Sequence, residues 1–217
     1  MKEAIIMFTR VPIPGKTKTR LEGYLSKQQC ANIHSAFLKD IYISCSKTNK
    51  DIFIFYTPVD NVDILEKLLG ENKYYPQTGE SLGDKMFNAI NLVLNKGYNS
   101  CVLIGCDIPE INENILNNSF EKLKKVDVVL GPTFDKGYYL VAMKNPYKSV
   151  FQNKVYGTGN VLLETTLKIK EDSLTFDFVD TLLDIDEKED VLTLINNLKN
   201  NEKCYFTKEF LKTLKEW

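Results

Sequence analysis

The chain has 217 residues, 43% of them apolar and 26% charged, with a formal net charge of −1. That length suits one large domain spanning residues 1–217, and the apolar fraction is enough to bury a core. A near-neutral balance excludes the global basic field that draws proteins to nucleic acid, although a small anionic ligand needs only a local positive site.

The five cysteines, Cys30, Cys45, Cys101, Cys106 and Cys204, are odd in number and form no C-x-x-C pair. They read as buried thiols in a reducing compartment rather than as a disulfide framework or a zinc site. His34 is the only histidine, placed mid-helix among Cys30, Ile33 and Phe37, and reads as a structural or surface residue. No apolar run approaches the roughly 18 residues of a membrane span, and the one near Met1 is too short for a signal segment. A soluble, cytoplasmic protein is expected.

Residues 4–8 form a short continuous apolar run, the mark of a strand buried on both faces. A polar loop with Pro12, Pro14 and Gly15 follows, and Ser26 is placed to cap a helix running to about Cys45. Strand 51–57, a helix over 60–69, a short strand at 74–76 and a helix over 84–95 come next. The run 101–106 (CVLIGC) is a buried strand ending at Asp107. A helix over 112–125 leads to strands 126–131 and 137–143, which can pair as a hairpin across 132–136. No element is assigned between 144 and 183. Two helices, after Asp190 and over 205–217, close the chain. The alternation of strand and helix predicts a mostly parallel sheet with helices on both faces.

Ligands of such sheets bind outside the carboxyl ends of the strands, where the strand order reverses. The loop after the first strand carries Arg10, Lys16, Lys18 and Arg20 around Gly15, a cation-rich, proline-stiffened segment suited to a diphosphate. Gly15-Lys16-Thr17 is not the end of a P-loop, because that motif needs a glycine where Arg10 stands. The segment GCDIP places Asp107 at a buried strand end, where a divalent metal would compensate its charge; capping of the next helix is the alternative. Asp135 lies in GPTFDKGYYL, either facing sugar hydroxyls or simply completing a turn. In DIDEKED, Asp186 is either a metal ligand or a helix N-cap with Glu189 as its partner.

These segments resemble a family within the nucleotide-diphospho-sugar transferase (GT-A) superfamily, small bacterial glycosyltransferases of the type associated with radical-SAM and selenium-containing domains. The family's F-x-K-x-P-x-P-G-x-V-K-T-R-L pattern stands here from Phe8 to Leu21, with Arg10 for lysine and Thr17 for valine. Its G-x-D-x-P is Gly105 to Pro109, and its G-P-x-x-D-G-G-Y-Y-L runs from Gly131 to Leu140 with Lys136 for a glycine. Its D-I-D-T-x-x-D is Asp184 to Asp190 with Glu187 for threonine, so the resemblance covers most of the chain.

The resemblance implies a three-layer α/β/α fold and transfer of a sugar from a nucleotide-diphosphate donor to a small-molecule acceptor. The likeness of this order of segments to guanylyltransferases of the same fold implies phosphate binding by Lys16, Lys18 and Arg20, and Mg²⁺ or Mn²⁺ at Asp107 with Asp186 as second ligand. Asp135 would serve as an acceptor-side catalytic base or hydroxyl ligand. Guanylyltransferases acting on phospholactate or molybdopterin show the same order of segments, which keeps open nucleotidyl transfer from a nucleoside triphosphate to a phosphorylated small molecule. A non-catalytic nucleotide-binding protein on this fold is the third reading.

Overall fold

The computed structural model describes residues 2–152, 154, 156, 157, 159–199 and 203–214. Its first strand, β1 (Glu3–Arg10), is followed by α1 (Lys27–Ser46), β2 (Asp51–Thr57), α2 (Val62–Leu69), β3 (Lys73–Pro76) and α3 (Leu82–Asn95). Then come β4 (Ser100–Gly105), α4 (Glu113–Leu123) and the pair β5 (Val128–Pro132) and β6 (Tyr138–Met143). The remaining elements are α5 (Val161–Glu171), β7 (Phe176–Phe178), α6 (Lys188–Leu198) and α7 (Tyr205–Lys212). Of the expected last helix, residues 215–217 lie outside the described residues.

Side chains of β1 alternate between two buried layers. Ile5 and Met7 pack under α1 and α4, while Ala4, Ile6 and Phe8 pack under α3 and α5. A strand without a polar face must be covered on both sides, and β1 lies inside the sheet between β2 and β4, parallel to both. The full order is β3-β2-β1-β4-β6-β5-β7, in which β6 alone runs antiparallel to its neighbours. Helices α1, α2, α4, α6 and α7 cover one face, and α3 and α5 the other. This is the expected three-layer, mostly parallel architecture.

Capping decides the helix starts. Ser26 accepts the Gln29 N–H and Gln29 returns the bond, which opens α1 where the sequence places it. Ser81 does the same with Asp84, so α3 begins two residues before the expected start. Asn112 is the cap of α4 rather than its first residue, and accepts from the N–H groups of Asn114 and Ile115. Within the α1 layer, the buried Asp40 carboxylate accepts from Phe206 N, Thr207 N and Thr207 Oγ1, and so fastens the start of α7. All five cysteines are free and buried.

The unassigned stretch holds α5 and the edge strand β7. Val161, Thr165 and Ile169 face inward at helical spacing, but Leu163 and Leu167 are exposed, which blurs the apolar stripe. β7 has three residues and gains its place only by pairing in parallel with β5. Among the described residues no helix is long and apolar enough to cross a membrane.

Candidate functional site

From β1 the chain steps outward to β2 and β3, then returns to place β4 on the other side of β1. The strand order therefore reverses between β1 and β4, whose carboxyl ends lie in register, Phe8 beside Gly105. A crevice opens there, with a volume of about 600 Å³. Arg10, Lys16, Lys18, Arg20, Asp107 and Asp186 all line it, so the two loops chosen by sequence meet at one site. Gly15 is not among its walls. It holds φ +76°, closes a turn in which Lys16 N–H donates to the Ile13 carbonyl, and an added Cβ would lie 3.3 Å from Lys27 Cδ. Its part is to bend the loop.

Lys18 occupies the centre. Its backbone is left-handed (φ +50°, ψ +39°), unusual for a residue with a side chain. Its ammonium lies 2.6 Å from Asp107 Oδ1 and 3.4 Å from Asp186 Oδ1, and donates to the Ile185 carbonyl at 2.5 Å. Burial works against the charge, but Asp107, Asp184 and Asp186 outweigh it and raise the Lys18 pKa. Burial likewise opposes ionisation of Asp107, yet Lys18 wins and its pKa is lowered. Arg20 donates to Asp186 Oδ2 at 2.8 Å, while Arg10 and Lys16 stay exposed at the mouth, where Arg10 donates to the Lys16 carbonyl.

Asp186 is not the cap of α6. Glu187 is, and Asp190 answers it by accepting from both Asp186 N–H (3.0 Å) and Glu187 N–H (2.8 Å). The Asp186 carboxylate is thereby free to face Lys18 and Arg20. The segment is held against β4 by a bond from Ile185 N–H to the Asp107 carbonyl.

Two residues join the site that sequence reasoning passed over. His34 is buried, with Nε2 3.2 Å from the Arg10 carbonyl and 3.1 Å from Thr9 Oγ1. A carbonyl only accepts, so Nε2 carries the proton and Nδ1 a lone pair. Nδ1 has no hydrogen-bond partner and lies 3.6 Å from Asp107 Oδ1. Burial lowers the His34 pKa to about 4, so the ring is neutral near pH 7. The signal that finds it is topological. A helix leaving the carboxyl end of β1 begins over that edge of the sheet, and His34 sits in its first half.

Asp184 is the second. Its Oδ1 is buried without a partner, and burial together with Asp107 pushes its pKa up to about 7. Lys18, Asp186 and Asp135 also act on it. Between about pH 4 and pH 7 the folded protein then holds a proton that the unfolded chain has released, so stability falls as pH rises through that window. Asp184→Asn removes this slope. Urea unfolding in metal-free buffer is expected to show the variant gaining on the wild type across the window, whereas a constant difference would mean that Asp184 ionises ordinarily.

Asp135 lies outside the crevice, on the wall of an adjoining cavity of about 330 Å³ that also touches Arg20, Asp184 and Asp186. It completes the β5–β6 turn, where it accepts from Thr133 Oγ1 and from Gly137 N–H. Lys136 beside it holds φ +67°, which explains why a glycine suits this position. Its side chain is exposed, so Lys136→Gly is expected to stabilise the protein by about 0.5–1 kcal/mol, the relief of left-handed strain less the entropy of a freer unfolded chain. A lower melting temperature in the variant would show that the lysine side chain supports the turn.

Among the described residues no three His, Cys, Asp or Glu side chains converge as a preformed metal cage. The Asp107 and Asp186 carboxylates, each nearly half exposed, and the Ile185 carbonyl are nevertheless hard oxygen donors already gathered round one cation. Mg²⁺ and Mn²⁺ are commonly held by one or two carboxylates, with ligand phosphates and water completing the shell, so these residues fit such an ion.

The sheet order, the crevice at its switch point and the two layers of helices match the fold of solved nucleotide-diphospho-sugar transferases and nucleotidyltransferases. A crystal structure from Desulfovibrio desulfuricans G20, provisionally described as a nucleotide-diphospho-sugar transferase, is similar at TM-score 0.91 and 27% identity, covering 99% of this chain and 97% of that one. The chain belongs to the family described as "Uncharacterized protein conserved in bacteria" (DUF2064), whose model matches residues 44–158. A cytidylyltransferase from Leptospira borgpetersenii shares the fold at TM-score 0.60 and 14% identity over 99% of this chain and 94% of its own. A Mycobacterium tuberculosis H37Rv protein solved with manganese does so at TM-score 0.52 and 10% identity, over 90% and 99%. No curated protein matches the sequence.

Proposed function

We propose that the protein transfers a glycosyl group from a nucleotide-diphosphate sugar, with the donor's diphosphate seated in the β1–β4 crevice. The observation that carries this reading is the meeting of four cations of one loop, Arg10, Lys16, Lys18 and Arg20, with the strand-end carboxylate Asp107 at the switch point. Cations of the loop take the phosphates, with lysines as point charges and Arg20 as a fork. Asp107, with Asp186 beside it, holds Mg²⁺ or Mn²⁺, which when bound neutralises charge on the departing diphosphate. The full-length likeness to the D. desulfuricans protein supports this donor class, and the manganese of the M. tuberculosis protein supports the metal. The motif from Phe8 to Leu21 supports placing the chain with the radical-SAM and selenodomain-associated type.

The acceptor enters by the adjoining cavity. Asp135, fixed by its turn, is a hydroxyl ligand there, and the Asp184 and Asp186 carboxyls line both cavities, between donor and acceptor. The test is product analysis after incubation with nucleotide sugars and Mn²⁺. Glycosyl transfer releases a nucleoside diphosphate, whereas pyrophosphate release from a nucleoside triphosphate in the presence of a phosphorylated acceptor would replace this reading with nucleotidyl transfer.

A further inference from the structure

Lys18 is held the way a metal ion is held. Its ammonium is surrounded by Asp107 Oδ1 at 2.6 Å, the Ile185 carbonyl at 2.5 Å and Asp186 Oδ1 at 3.4 Å, and its side chain is 3% exposed. Beside this cluster the unpartnered Nδ1 of His34, on a side chain 2% exposed, lies 3.6 Å from the same Asp107 oxygen. The three oxygens offer lone pairs toward one small volume, and one positive charge fills it. The left-handed backbone at Lys18 supports this placement, since strain at a non-glycine residue persists only where its surroundings fix it.

We propose that Lys18 is the resident cation of this site, that it and a divalent ion are mutually exclusive occupants, and that the donor's phosphates are what draw Lys18 out. The last step rests on the reading of the crevice as a diphosphate site. Exclusivity follows from electrostatics. An ammonium and a divalent ion placed among the same oxygens would repel at contact distance, in surroundings that screen less than water does. A four-carbon stem on a loop residue gives the ammonium a path from carboxylates to phosphates without moving the strands. Metal is therefore taken up with the donor and not before it, and divalent ions alone do not load the free protein.

The experiment compares Mn²⁺ binding by the wild type, Lys18→Met and the Lys18→Met/Asp107→Asn double variant, without nucleotide, by electron paramagnetic resonance of free Mn²⁺ and by melting temperature. Lys18→Met is expected to bind Mn²⁺ at least about tenfold more tightly than the wild type and to gain melting temperature from it, because the ion replaces the missing charge. The double variant loses that gain. A Lys18→Met protein with wild-type circular dichroism that binds Mn²⁺ no better than the wild type would overturn the inference. Should that variant fail to fold, the Lys18 ammonium resonance of lysine-¹⁵N-labelled wild type decides. It is expected to stay in place with Mg²⁺ alone and to shift with Mg²⁺ and a nucleoside diphosphate, whereas Mg²⁺ bound beside an unmoved resonance would overturn exclusivity. A gain of Mn²⁺ affinity in Lys18→Met, with no nucleoside diphosphate bound by any form, would uphold exclusivity and remove only the donor reading.

Discussion

Asp107→Asn is expected to lower the turnover number for transfer by roughly a thousandfold, a loss of several kcal/mol of stabilisation of the departing diphosphate. The substitution keeps the side chain's size and takes away the carboxylate that faces Lys18 at 2.6 Å, two residues past the end of the buried strand β4. Folding is expected to survive. The Asp107 side chain is nearly half exposed, so its ion pair with Lys18 is discounted by solvent, and Asp186 and the Ile185 carbonyl still receive the ammonium. Circular dichroism establishes the fold, and initial rates at saturating donor give the effect. A folded variant with turnover within about threefold of the wild type would remove Asp107 from the centre of the account, since loss of a group that stabilises the transition state costs far more.

Lys18→Met has two expected effects of opposite use. Stability falls by about 2–3 kcal/mol, below the 3–5 kcal/mol typical of a broken buried pair, because its carboxylate partners are nearly half exposed and rehydrate. Donor affinity falls by about a hundredfold, the usual scale for losing one desolvated charge contact. The two are separated by measuring binding well below the variant's melting temperature. A variant that is destabilised yet binds donor normally would make Lys18 purely structural and assign the phosphates to Lys16, Arg20 and Arg10. Raising ionic strength is expected to weaken donor binding in the wild type more steeply than in the variant, since a contact has gone.

Much of the fold is legible because β1 and β4 are apolar on both faces, which only a doubly covered sheet allows. The switch point follows from the alternation of strand and helix, and the two loops it nominates do meet. What the sequence hides are facts of tertiary contact. Lys18 reads as one of four similar cations, and nothing in FTRVPIPGKTKTRL marks it as the one turned inward. Its left-handed backbone and the acceptors from the 184–186 segment do that, and those acceptors arrive from more than 160 residues away in sequence.

His34 looks like part of an apolar helix stripe, and so it is, but the stripe ends over the crevice. Asp186 passes for a helix cap until the structure shows Asp190 serving Glu187 instead. Between 144 and 183 the pattern fails because α5 exposes two leucines and β7 is three residues long. The substitution of Lys136 for a glycine gains its meaning only from the positive φ at that turn.

In the proposed function the β1–β4 crevice binds a nucleoside diphosphate moiety through the basic loop and Asp107. Isothermal titration of the wild type with UDP, GDP, CDP, ADP and TDP in the presence of Mn²⁺ tests it most directly. At least one of them is expected to bind with micromolar affinity, dependent on Mn²⁺ and weakened by about tenfold or more in Asp107→Asn. No heat of binding for any of the five, or binding indifferent to both Mn²⁺ and Asp107, would contradict it.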